Sequence, residues 1–493
     1  MSRPSFEELT SKLTRYLPEE DLASIAKAYR FAEATYRGKH RLSGRPYIEH
    51  ALAVAMVLAE LKLDAASIMA GLLHGVLKQE EHPVSEEELK KEFGEDVAGI
   101  VSGATKITNV QFDSRIAYQA ENVRKMLLAM ANDIRVILVR LADRYHDMQS
   151  LSFVDEEKRR EIATETMELY APLASRLGID WLKRELEDLA FSYLHPKEYQ
   201  EIAEKITATL PDREAYVERV KALLSHHLTA NGLTKFRILG RPKHLYSIYK
   251  KLLAQNITID KVYDKVAFRI IVDTVKECYQ ALGIIHSLWP PIDGRFKDFI
   301  SHPKPNGYRS VHTSVIGPNG DFMEIQIRTE EMDRVAQDGI AAHWAYKEGK
   351  AITTRDVKLF KWLKQLVHTL QSLEDPKEFL DAVKGELYED EIYVLTPTGE
   401  VKGFPRGSTP LDFAYSIHTE VGHHCAGAKI NGQIAPLKTP LENGDVVEII
   451  TSPNQKPNRG WLSIVRTSRA KSRIRQWLNQ EERARSLEVG REI

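Results

Sequence analysis

The pair Asn319-Gly320 limits what this chain can fold into more than any other two residues. It lies in the turn Gly317-Pro318-Asn319-Gly320, between the runs His312 to Ile316 and Phe322 to Arg328. Asn-Gly between alternating runs is the strongest short-range hairpin signal, because both residues tolerate the positive φ that a tight turn needs. On the return run the period of two sends Glu324, Gln326 and Arg328 to one face and Met323, Ile325 and Ile327 to the other. A carboxylate, an amide and a guanidinium in succession read either as the wall of a site or as an ordinary half-exposed strand. The stretch around the hairpin, from Arg295 to Thr329, is dense in groups that bind polyphosphate and a base. Arg295, Lys297, Lys304, Arg309 and Arg328 are its cations, and Tyr308 is an aromatic plate.

A chain of 493 residues has room for about three domains at roughly 150 residues each. A net charge of −1 excludes a global field for nucleic acid, so any such contact must be local. Cys278 and Cys425 are too few and too far apart for a disulfide framework or a cysteine-rich metal site. With no signal peptide and no long apolar run, the expectation is a cytosolic protein without membrane contact.

Helical periodicity runs through residues 1–200, as in 50–63, 65–79, 120–133 and 134–148, with glycine and proline between the segments. An all-α first domain is expected. In it His50, His74 and Asp143 sit on separate helices, where they can converge on a divalent metal or serve as structural polar residues. More helix follows over 178–235. The segment 240–255 is a basic helix on which Lys243, Ser247 and Lys251 recur every four residues, a face that either is plainly solvated or takes phosphates. Residues 265–273, apolar and β-branched, read as a central strand that carries Arg269 and follows Asp264. No GxxxxGK[ST] loop and no GxGxxG after a strand occurs, so nucleotide binding would need other means. Residues 351–387 read as a helical linker, 388–452 as a small β-rich module, and 453–493 as the start of a basic helical region that stops mid-helix. The expected division is 1–200, 201–350, 351–387, 388–452 and 453–493.

The segments GRPYIEH, ADRYHDM, GRPKHLYSIY, RFKDFI, PKPNGYRSVHT, EIQIRT, GIAAHW and VGHHCAGAKING resemble, in order and spacing, the long RelA/SpoT homologues of the stringent response. The resemblance covers essentially the whole chain. It implies a multidomain α+β protein: an all-α HD-type domain, a synthetase domain with a nucleotidyltransferase-like mixed sheet, and a small β-grasp TGS domain. Further C-terminal domains of the family are not in this sequence, which implies a truncated or naturally short form. The activity implied is transfer of pyrophosphate from ATP to the 3′-hydroxyl of GDP or GTP. Asp264 and Glu324 then match the Mg²⁺-binding and catalytic carboxylates. Arg241 and Arg269 would hold the adenine, and Lys243, Ser247, Lys251, Arg295 and Lys297 the ATP phosphates. Tyr308 would stack on the guanine, with Lys304, Asn306, His312 and Gln326 around the acceptor. His423 matches a position that approaches uncharged tRNA on the ribosome.

Two motifs within the resemblance disagree. RFKD is the basic form that accompanies bifunctional synthetase-hydrolases. The hydrolase site, however, has Gly75 after His74 where the family has Asp, Lys78-Gln79 where it has Glu-Asp, Asp147 where it has Asn, and Leu42 where it has Lys. The expectation is a lost Mn²⁺ site and an inactive hydrolase domain, with Lys78 replacing the metal beside Asp143 and Asp147 sharing its charge.

Overall fold

The computed structural model describes residues 4–78, 83–105, 114–208, 210–242, 244–255, 266–304, 306–318, 320, 322–339, 363, 366–367, 373, 375–387 and 391–492. Expectations resting on Gln79, Lys243 and Asp264 lie outside these residues. The chain divides into two compact units, one formed by residues 1–108 and 132–359, the other by 109–131 and 360–493.

In the first unit the helices Tyr47–Glu60, Ala65–Leu73 and Arg135–Gln149 pack with apolar faces inward and bring the predicted histidines and Asp143 together. The start of Ala65–Leu73 is fixed by the Asp64 carboxylate, which accepts from the Ser67 N–H at 3.1 Å. Such a cap satisfies one of the orphan donors of the first turn. Asp64 also accepts from Arg135 at 2.8 Å, and Arg135 bonds Asp133 as well, so one buried guanidinium ties the starts of two helices. His74 is the residue at which Ala65–Leu73 ends.

A five-stranded sheet follows: β1 (Phe236–Pro242), β2 (Val266–Val272), β3 (Lys297–Asp298), β4 (Val311–Ile316) and β5 (Phe322–Thr329), in the order β1-β2-β5-β4-β3. The hairpin β4–β5 forms as expected, with Gly320 at φ 76°. The strand read as central, β2, is interior but second in the sheet; the middle place belongs to β5, which pairs β2 in parallel and β4 antiparallel. Met323, Ile325 and Ile327 join Phe268, Ile270, Val272, Val311 and Val315 on the apolar face, covered by the helices Leu210–Ala230 and Val275–Leu288. The other face holds the polar residues. The helix Asp180–Leu194 braces the helix Leu245–Gln255: the Asp188 carboxylate accepts from the N–H groups of Leu245 and Tyr246 at 3.3 and 2.9 Å, and Phe191 packs on Tyr249.

The second unit contains β6 (Glu391–Leu395), β7 (Val401–Pro405), β8 (Cys425–Ile430), β9 (Gln433–Ala435) and β10 (Val447–Thr451), as a β6–β7 hairpin and a sheet ordered β10-β8-β9. A parallel bridge between Leu395 and Val446 joins the two sheets. The helix Arg115–Asn132, expected inside the first helical domain, is grouped with this unit by its packing. Arg124 of the helix Arg115–Asn132 explains the attachment: its guanidinium lies 4.5 Å from the Phe379 ring centre and donates to the Leu373 carbonyl at 3.0 Å. Among the described residues no helix is long and apolar enough to cross a membrane.

Asp412 holds this unit's last helix in place. Its buried carboxylate accepts from the N–H groups of Thr409 (2.9 Å), Arg466 (3.0 Å) and Thr467 (2.7 Å) and from the Thr467 hydroxyl (2.8 Å). Asp412→Ala is expected to destabilise the unit by about 3 kcal/mol or more, since it leaves several buried donors without an acceptor. Thermal unfolding checks this, and Asp412→Asn should fall between the two proteins because it keeps one oxygen.

Candidate functional site

The strand register assembles the polar face row by row. Arg269 of β2 lies opposite Gln326 of β5, Gln326 opposite His312 of β4, and His312 opposite Lys297 of β3, so four predicted residues stand side by side across four strands. The next row contains Ala267, Glu324 and Ser314, with Arg241 at the β1 position opposite Ala267. The predicted face Glu324, Gln326, Arg328 is thus the middle of a wider wall.

Glu324 is half-buried; its Oε1 accepts from Gln326 Nε2 at 3.3 Å and lies 3.8 Å from His312 Nδ1. His312 Nε2 is 2.7 Å from the Tyr308 hydroxyl. Burial pushes the His312 imidazole below its ordinary range, and the cations Lys304, Arg328 and Lys297 add to this, against the opposing pull of Glu324. His312 is therefore neutral at pH 7. Tyr308 is half-buried, edge-on to Phe299 and His312, with the Lys304 ammonium 5.4 Å and the Arg328 guanidinium 5.7 Å from its ring centre. Burial raises its phenol. Asn306 links this loop to the helical domain: its Nδ2 donates to the Ser175 carbonyl at 3.0 Å, and its Oδ1 accepts from the Tyr308 N–H at 3.1 Å. Arg295 and Lys297 are exposed, and Ser247 and Lys251 share one side of the helix Leu245–Gln255.

Two residues on this side of the sheet were not read from the sequence. Asp333, in the helix Glu330–Asp338 after β5, accepts from Arg269 Nη1 at 3.1 Å and Arg328 Nη2 at 2.7 Å. Arg184 lies near Arg328 and Tyr308, and burial, with Arg328 adding to it, lowers its pKa. A lone acid in a polar helical turn and a lone arginine on an amphipathic helix carry no sequence signal.

In the helical domain His50, His74 and Asp143 do converge, with ligand atoms within 4.8 Å of one another. His50 Nε2 is 3.0 Å from His74 Nε2 and 3.3 Å from Asp143 Oδ1, and His50 Nδ1 is 2.8 Å from His146 Nδ1. Three donors of the N, N, O type suit a divalent metal, but two features work against one. Arg140 already contacts Asp143, its Nη1 at 3.1 Å from Oδ2. A Cβ at position 75 would come 2.8 Å from the Tyr47 hydroxyl and 3.2 Å from that of Tyr36, so the place of a fourth ligand is filled by phenols. The residues therefore fit a metal only in part. Two expectations need correction. The cation against Asp143 is Arg140 and not the expected Lys78, which stands in the turn Val76–Lys78, near enough to His74 to oppose its protonation. Asp147 serves Arg41, 2.5 Å away.

Burial pushes His74 down to about 4, with His50 and Lys78 acting the same way and Asp143 against. A histidine held below its unfolded value stays neutral in the fold, while the unfolded chain takes up a proton as pH falls through about 6.5. Stability is then lost on acidification. From pH 7 to pH 5 the expected loss from this residue is about 2 kcal/mol, read as a falling Tm in chelator-treated protein. His74→Gln should flatten the slope.

His423 ends the short helix Thr419–His423 and is mostly covered, its ring 5.7 Å from that of Tyr415 and 6.3 Å from that of Trp477 in the helix Ser468–Glu492. Its Nε2 is buried without a hydrogen-bond partner among the described residues.

Three family descriptions match the chain in order: HD domain over residues 28–180, "Region found in RelA / SpoT proteins" over 240–351, and TGS domain over 392–451. A GTP pyrophosphokinase of Myxococcus xanthus is 50% identical over 484 residues, which is 98% of this chain and 64% of that protein. The bifunctional (p)ppGpp synthase/hydrolase SpoT of Escherichia coli (strain K12) is 45% identical over 489 residues, 99% of this chain and 69% of that protein. The chain thus spans about two thirds of the length of these relatives. The crystal structure of the small alarmone synthetase 1 from Bacillus subtilis aligns with 37% of this chain and 97% of its own at 25% identity and a TM-score of 0.24, too slight a likeness to bear on the site. With 45% identity over 489 residues, across 69% of that relative, and all three domain matches in sequence, the chain belongs to the RelA/SpoT family.

Proposed function

We propose that the chain is a (p)ppGpp synthetase, transferring the β,γ-pyrophosphate of ATP to the 3′-hydroxyl of GDP or GTP, and that its HD domain does not hydrolyse the product. The observation that carries this reading is the row Arg269, Gln326, His312, Lys297 across four strands, with Glu324 in the adjoining row and Tyr308 against His312. The acceptor 3′-oxygen attacks the β-phosphorus, the bond from that phosphorus to the α,β-bridging oxygen breaks, and AMP leaves. The hydroxyl proton must pass to a base. Glu324 suits the task because it stands on the wall with the Gln326 amide bonded to it and the His312 ring 3.8 Å away. The neutral His312 in turn holds the Tyr308 hydroxyl, which steadies that ring as a stacking surface for guanine. Mg²⁺, when bound, would neutralise the phosphate oxygens, held by Glu324 and by Asp264, which lies outside the described residues. The donor nucleotide would lie over Arg241, Lys243, Ser247, Lys251, Arg269, Arg295 and Lys297. The acceptor would lie by Lys304, Asn306, Tyr308, His312 and Gln326, with Asn306 acting through the loop it ties down.

The second half of the reading rests on Gly75, Lys78, the Arg140–Asp143 pair and the phenols of Tyr36 and Tyr47, which together disfavour Mn²⁺. A bifunctional enzyme is the competing reading, supported by the surviving convergence of His50, His74 and Asp143. Incubating the protein with ATP and GDP should yield ppGpp and AMP in equal amounts, and incubating it with ppGpp and Mn²⁺ should release no pyrophosphate. Absence of the first product overturns the synthetase, and release in the second assay makes the enzyme bifunctional. The TGS domain would meet uncharged tRNA on the ribosome through His423. Stimulation by ribosomes that survives His423→Ala would remove that role.

A further inference from the structure

The wall described above carries two buried arginines on one carboxylate. Asp333 is 3% exposed, Arg328 1% and Arg269 8%. One oxygen, Oδ1, receives both guanidinium groups, at 3.1 Å from Arg269 and 2.7 Å from Arg328, while Oδ2 accepts from Gln337 Nε2 at 2.7 Å. The two arginines are on adjacent strands and reach different parts of the site. Arg269 stands level with Gln326 in the row across the wall, and Arg328 lies by the ring of Tyr308. Each keeps a buried Nε with no hydrogen-bond partner among the described residues. A single carboxylate leaves this pair with one positive charge in excess, and burying an excess charge is costly unless something neutralises it. Arg184 close by has Asp180 to offset it, while burial together with Arg328 draws the Arg269 pKa down to about 10.

We propose that Asp333 is a positioning residue that couples the two nucleotide subsites, because the orientation of Arg269 towards the donor and of Arg328 towards the Tyr308 side depends on the same oxygen. This rests on the assignment of donor and acceptor made above. When a nucleotide draws one guanidinium toward itself, the shared oxygen is released to the other, so filling one subsite alters the geometry of its neighbour. The carboxylate touches neither substrate and takes no part in bond making.

The test is binding and kinetics on the whole chain, comparing wild type with Asp333→Asn, which keeps the shape and removes the charge. In wild type, saturating GDP is expected to change the Kd of a non-hydrolysable ATP analogue by about tenfold, within the usual range of site-to-site coupling. In Asp333→Asn that change should fall to about twofold or less, with KM for both nucleotides raised and kcat reduced less than either specificity constant. Asp333→Glu should restore part of the coupling. Should Asp333→Asn not fold, Gln337→Leu replaces it: it removes only the support of Oδ2 on the outer side and should weaken the coupling measurably. Coupling that is absent in wild type, or unchanged in the variants, overturns the inference while leaving the synthetase intact. A wild type that binds neither nucleotide overturns both.

Discussion

Glu324→Gln is expected to lower the rate of alarmone synthesis by about a thousandfold or more while leaving the melting temperature almost unchanged, the size of effect associated with loss of a general base at a metal-assisted centre. The substitution keeps the shape of the side chain. Its neighbours, the Gln326 amide and the His312 ring, are polar and can hydrogen-bond a carboxamide as well as a carboxylate. Glu324 is also only half-buried, so water can reach the carboxamide that replaces it. What changes is the capacity to take the proton of the 3′-hydroxyl and to face Mg²⁺ with a full negative charge. The loss should therefore fall on kcat, with KM for ATP and GDP altered by no more than a few-fold. Near wild-type turnover in this variant would remove Glu324 from the chemistry and leave the base to be sought elsewhere on the wall.

The sequence made this site legible in a particular way. Periodicity is local, so the two faces of β5 could be assigned from seven residues, and the apolar set Met323, Ile325, Ile327 does enter the core. Register between strands far apart in the chain is not local. That Arg269 comes level with Gln326 depends on the parallel pairing of β2 with β5, decided by how the intervening helix Val275–Leu288 packs. The same limit explains Asp333, whose importance comes entirely from two arginines 64 and five residues away. His423, matched in sequence to a position that approaches tRNA, has the ring of Trp477, more than fifty residues on, 6.3 Å from its own. Arg124 shows the reverse case. Its helix has the periodicity of its neighbours in the sequence, so nothing marks it for the other unit until Phe379 and Leu373 are seen against it. At Asp143 the sequence indicated that a cation must compensate a buried anion, and this holds. It pointed to Lys78, four residues from His74, whereas the guanidinium in contact is three residues away on Asp143's own helix, at the i, i+3 spacing that places Arg140 and Asp143 side by side.

The packing at that site also decides what repairing it would take. Gly75→Asp returns the missing carboxylate on paper, yet the variant is expected to be less stable by about 2–3 kcal/mol and to bind Mn²⁺ no better, because a larger side chain forced into a filled interior strains its surroundings. The added Cβ would lie 2.8 Å from the Tyr47 hydroxyl, 3.1 Å from the same ring's Cε1 and 3.2 Å from the Tyr36 hydroxyl. Neither ring can yield easily. They pack on each other with centroids 4.7 Å apart, and the Tyr36 hydroxyl accepts the Gly75 N–H at 3.1 Å. The new carboxylate would also be a second buried anion beside Asp143, whose charge Arg140 already balances. Steric and electrostatic costs can be separated. Gly75→Asp with Tyr47→Phe removes the nearest atom and should recover about half of the lost stability, and Gly75→Asn should share the steric cost without the charge. Calorimetric titration with Mn²⁺ then distinguishes the accounts. Tight binding by Gly75→Asp alone would show that the two tyrosines give way, and that the fourth position was merely vacated. Binding that returns only when Tyr47 is also changed would show that the phenols close the site.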